Sequence, residues 1–94
     1  MIRLIRIILG DYADRMTPTS TVIILRLIIE IFESKYGEVS TTKTDLMRRY
    51  LFSRPSIASA LSDAKSLGIL NLEKEEGFQG VTISICEELL NEKA

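Results

Sequence analysis

The chain has 94 residues with 12 Lys and Arg against 13 Asp and Glu, no His, no Trp and one Cys. One small domain is expected, with a thin core, because a chain of roughly 100 residues buries only about 60 to 68% of its unfolded surface. His-dependent chemistry is excluded, a formal charge of −1 argues against coating nucleic acid by bulk charge, and no apolar run reaches the roughly 18 uncharged residues of a membrane span.

Met1 to Leu9 is apolar and carries Arg3 and Arg6. No small-residue cleavage site follows, only Gly10-Asp11-Tyr12-Ala13-Asp14-Arg15, so a mature cytoplasmic protein is expected. At 100° per residue the two arginines and Gly10 share one narrow face, which fits a helix, whereas a strand would put the arginines on opposite faces. Such a helix is apolar over more than half its circumference, and the rest of so small a domain covers it poorly. Residues 1–16 are therefore read as a helical extension with Ile2, Ile5 and Leu9 as dimer contacts, and the central helix that follows as a second candidate for the two-fold contact. The simpler alternative is that the segment packs only on its own core.

The next element is the best signposted. Thr17 is a cap, Pro18 sits at the first helical position, and an apolar run leads to Tyr36 and a stop at Gly37. Arg26, Glu30 and Glu33 share a polar stripe, read as a solvated face without a functional role. A short helix follows, capped by Ser40, Thr41 or Thr42, with Leu46, Met47 and Tyr50 inward and Arg48 and Arg49 outward. After Leu51-Phe52, Ser53 caps a helix that buries Ile57, Ala60, Leu61, Ala64 and Leu67 and closes at Gly68.

The period then changes. Ile69 to Lys74 and Val81 to Cys86 flank a turn with two glycines and read as a two-stranded β-hairpin, with Val81, Ile83 and Ile85 on its packed face. Glu87 to Lys93 form a short terminal helix anchored by Leu89 and Leu90. The acidic clusters Asp11/Asp14 and Glu73/Glu75/Glu76 have no His or further Cys beside them. They read as solvated surface, and no metal, cofactor or catalytic site is expected. Cys86 reads as a small half-buried residue, with an intermolecular disulfide as the alternative. Ile and Leu make up about a quarter of the chain, while Asn71, Asn91 and Gln79 are its only side-chain amides. That depletion is described for proteins adapted to high temperature.

The string Thr41-Thr42-Lys43-Thr44-Asp45-Leu46-Met47-Arg48-Arg49-Tyr50, then Ser53-Arg54-Pro55-Ser56-Ile57-Ala58-Ser59-Ala60-Leu61, then Leu67-Gly68-Ile69-Leu70, resembles the winged helix-turn-helix proteins, in particular small prokaryotic and archaeal regulators. The resemblance covers about half of the chain. It implies an α+β winged-helix core over residues 17–94 and sequence-specific binding of double-stranded DNA as a homodimeric transcriptional regulator. Arg54, Ser56 and Ser59 would then lie on the recognition helix, and Lys43, Arg48 and Arg49 would meet the phosphate backbone. The expected wing, Glu73 to Gly80, departs from the family pattern in carrying three acids to one base, which leaves Lys74 and Gln79 as its contacts. That departure, with Phe78 at the tip, supports the alternative of a protein-interaction subunit in a replication or transcription assembly, since winged helices serve both purposes.

Overall fold

The computed structural model describes residues 1–74 and 79–93. The chain is α+β, with helices α1 (Ile2–Ile7), α2 (Pro18–Glu33), α3 (Lys43–Tyr50), α4 (Arg54–Ser66) and α5 (Glu87–Lys93), and strands β1 (Glu38–Thr41), β2 (Leu70–Glu73) and β3 (Val81–Ile85). The expected tip at Glu75, Glu76 and Phe78 lies outside the described residues.

Three helix starts follow from local chemistry. The side-chain oxygens of Thr17, Thr42 and Ser53 accept from the backbone N–H groups of Ser20, Asp45 and Ser56, each satisfying one of the free donors of a first turn. Pro18 and Pro55 stand in the first turns of α2 and α4, where a missing N–H has no penalty. Gly68 ends α4 at φ +73°: its N–H donates to Lys65 and that of Ile69 to Ala64, the paired bonds of a Schellman cap.

Three expectations need correction. The N-terminal helix is regular only to Ile7, and Ile8–Tyr12 form a wider π-helical turn containing Gly10, followed by a 3₁₀ turn over Ala13–Arg15. The central helix stops at Glu33 rather than Gly37, because the backbone N–H and the hydroxyl of Ser34 both donate to the Ile31 carbonyl, diverting an acceptor the helix would have used. The sheet has three antiparallel strands, not two, in the order β1-β3-β2. Val39 lies opposite Ile83, and Leu72 lies opposite Ile83 on the other side. With β3 in the centre, Thr82 is buried and within 3.0 Å of the Ser40 hydroxyl, so the face expected to be polar is covered.

One core joins the elements. Ile23, Ile24, Leu27, Ile28 and Ile31 of α2 pack on Ile57, Ala60, Leu61 and Ala64 of α4, on Leu46 and Tyr50 of α3, and on the sheet through Leu70, Ile83 and Ile85. Leu4 and Ile8 of the N-terminal segment are fully buried in this core, and Leu89 of α5 completes it. Of the expected dimer contacts, Ile5 is half-buried, while Ile2 and Leu9 remain 69% and 52% exposed. Among the described residues, no helix is long and apolar enough to cross a membrane.

Candidate nucleic-acid interface

α3 and α4 are joined by the three-residue turn Leu51-Phe52-Ser53, and the start of each helix faces the β2–β3 end of the sheet. Between them lies an open cleft of about 480 Å³, lined by Thr42, Lys43, Thr44, Arg54, Lys74, Gln79, Gly80 and Val81. Pairing of Thr41 with Val81 brings the start of α3 to the strand that follows Gly80. Arg54 is steered across the mouth, since its Nη2 donates to the Thr44 hydroxyl at 3.0 Å. Lys43, Arg54 and Lys74 thus surround one concavity, and no carboxylate lines it among the described residues. The N-terminus of α3 adds its partial positive charge to the same place.

This is an arrangement for an anion. Cations around a concave, partly shielded surface add their fields, and the Thr42 and Thr44 hydroxyls and the Gln79 amide supply neutral hydrogen-bonding groups beside them. The net charge of −1 for the whole chain makes the local excess informative, since it does not come from a generally basic surface.

Other expected contacts fall elsewhere. Arg49 is held from two sides, by Glu30 at 2.7 Å and by Asp45 at 2.8 Å. Arg48 makes a 3.3 Å pair with Asp45, but its side chain is 77% exposed and reaches solvent. Ser56 and Ser59 line a shallow groove with Thr17, Thr19, Ser20 and Pro55 at the α2–α4 crossing, away from the basic cleft, and the Ser56 hydroxyl is bonded to that of Ser53.

The polar stripe of α2 is exposed at Arg26 and Glu33, as a solvated face should be, but Glu30 is half-buried and the stripe also engages α3. Arg26 donates to the Tyr50 carbonyl at 3.2 Å and lies 4.2 Å from the centre of its ring, and Glu30 accepts from the Tyr50 hydroxyl as well as from Arg49. Burial, followed by the bond to the Glu30 carboxylate, pushes the Tyr50 phenol well above its ordinary pKa, so it stays a donor. Asp45 is held below the ordinary carboxylate range, first by the Thr41 hydroxyl at 2.8 Å and then by Arg49. These bonds fix α3 against α2 and so fix the floor of the cleft.

Among the described residues, no group of three or more His, Cys, Asp or Glu could hold a metal. No family model, curated protein or solved structure matches this chain.

Proposed function

We propose that the chain is a winged helix-turn-helix protein that binds double-stranded DNA without catalysing a reaction on it. The order α2-β1-α3-α4-β2-β3 with the sheet order β1-β3-β2 supports the fold half of this reading. The observation that carries the DNA half is the convergence of Lys43, Arg54 and Lys74 on one cleft without a lining carboxylate among the described residues. In this reading α4 enters the major groove by its first turn, with Arg54 nearest the bases. Lys43 and Lys74 meet phosphates on either side, with exposed Arg48 beyond them. Arg49 orders α3. The protein acts as a cytoplasmic homodimer that regulates transcription, each copy reading one half-site.

The test is fluorescence anisotropy of a labelled duplex at several salt concentrations. Each phosphate neutralised contributes a slope of about −0.9 in log K against log salt. The Lys43→Ala/Arg54→Ala/Lys74→Ala variant is expected to flatten the slope by roughly 2 to 3, whereas Arg49→Ala changes it little. No salt-dependent binding by the folded wild type overturns the reading and favours the interaction-subunit alternative.

A further inference from the structure

α2 has three faces rather than two. At 100° per residue its buried side chains, Ile23 to Ile31, centre on one direction, and Arg26, Glu30 and Glu33 occupy a polar flank. Val22, Leu25, Ile29 and Phe32 fall within about 80° of arc, centred roughly 140° from the buried face. Their 3-4-3 spacing is that of a two-helix seam. Val22, Ile29 and Phe32 are exposed, Phe32 by 43%, and Leu25 is half-buried. Three of the eight large exposed apolar residues among the described residues, Val22, Ile29 and Phe32, lie on this one stripe. A monomer has no use for a continuous stripe of this kind along its central helix.

We infer that this stripe is where a second copy of the chain docks, α2 against α2 in antiparallel orientation. The inference deepens the dimer part of the proposed function, by placing the interface on α2 rather than on α1. Charge selects the occupant. α2 has no acid in its first turn and no base in its last, and Glu33 adds negative charge at its C-terminal end while Glu30 is paired with Arg49, so neither end of its dipole is compensated within the helix. A two-fold axis through the middle of the stripe sets Glu33 of each copy beside the positive first turn of the partner helix. Shape agrees, since the same axis pairs small Val22 with large Phe32 and Leu25 with Ile29. Arg26 is drawn away from the seam by Tyr50.

The geometry also serves DNA binding. The buried side of α2 packs along α4, so an α2–α2 contact stacks four helices in series. At about 8–10 Å per step the two α4 helices stand on the order of 25–30 Å apart, of the same order as the roughly 34 Å between half-sites one turn apart.

Sedimentation without DNA tests the interface separately from the cleft. Wild type is expected to be dimeric at about 100 μM, with Ile29→Glu and Val22→Glu weakening association by roughly 30-fold or more and Leu9→Glu by less than about 3-fold. Circular dichroism and thermal unfolding check that each variant folds. As a second route that leaves the seam apolar, Ile29→Cys in a Cys86→Ser background is expected to cross-link with a bis-maleimide of about 10 Å, whereas Arg48→Cys is not. A wild type that stays monomeric, a dimer broken by Leu9→Glu but not by Ile29→Glu, or equal cross-linking from both positions overturns the inference. Monomeric Ile29→Glu that still binds duplex in a salt-dependent manner, but at least about 10-fold more weakly, keeps the two proposals distinct and supports both.

Discussion

Arg49 on α3 donates to Glu30 on α2 at 2.7 Å, bridging two helices nineteen residues apart in the chain. The same carboxylate accepts from the Tyr50 hydroxyl, which is largely shielded from water. The two bonds differ in value. An ion pair whose side chains keep a third of their exposure is worth less than about 1 kcal/mol, whereas a shielded hydroxyl bonded to a charged acceptor contributes about 1.5–3 kcal/mol. Glu30→Ala is therefore expected to destabilise by about 2–3 kcal/mol and Arg49→Ala by under about 1 kcal/mol. Urea unfolding measures both, and an equal or reversed order would show that Tyr50 does not depend on Glu30.

Asp45 gives the fold an acid-sensitive contribution. Its carboxyl accepts first from Thr41 and then from Arg49 and Arg48, so its pKa lies below the ordinary value in the folded chain. A depressed native pKa contributes stability that is present above the unfolded value of about 4 and is lost as pH falls through the native one. Asp45→Asn is expected to be less stable than wild type at neutral pH, with the difference shrinking below about pH 4. A gap that stays constant from pH 7 to pH 3 would falsify the role given to this carboxylate.

What was legible in the sequence is what local chemistry decides. Thr17, Ser53 and Gly68 announce helix ends because their partners lie within three or four residues. Glu38 to Thr41 give no strand signal of their own. They become β1 only because β3, more than forty residues on, offers Val81 to Ser84 as partners. The same pairing brings Gly80 and Val81 beside Thr42, so Lys43, Arg54 and Lys74 could each be picked as a candidate cation, but their meeting could not be read. The same holds for Arg49: its spacing to Asp45 is visible along one helix, but its pairing with Glu30 depends on how α2 and α3 cross. The heptad spacing of Val22, Leu25, Ile29 and Phe32 was present in the chain, but it was hidden inside a run apolar on almost every side until burial separated the faces.

Cys86 is protected rather than poised. Its thiol lies 3.4 Å from the Asn71 side-chain oxygen, and burial, followed by the nearby Glu88 charge, raises its pKa. The thiolate is the reactive form, so a raised pKa lowers reactivity at neutral pH. Maleimide labelling of the folded protein at pH 7 is expected to be slower than that of the urea-unfolded chain, and a non-reducing gel should show no disulfide-linked dimer. Equal rates in the two states would show that the site does not shield the sulfur.

Two helix ends adopt the same left-handed conformation with different residues. Gly68 closes α4 at φ +73° and Leu51 closes α3 at φ +62°, the latter donating its N–H to Met47 at 2.9 Å. A Cβ at Gly68 would meet nothing within 4 Å, so Gly68→Ala tests the backbone alone and is expected to lose about 1 kcal/mol. Leu51 already bears that strain, and at 86% exposure its side chain returns little packing to offset it. Leu51→Gly relieves roughly 1–2 kcal/mol of left-handed strain but adds freedom to the unfolded chain worth about 0.5–1 kcal/mol. A net gain of about 0.5–1 kcal/mol is therefore expected, visible as a higher urea midpoint at unchanged slope. A loss on Leu51→Gly that grows with protein concentration, with the expected loss at Gly68→Ala, would mean that a second copy covers the leucine. A loss independent of concentration would show that the freedom added to the unfolded chain outweighs the strain at Leu51.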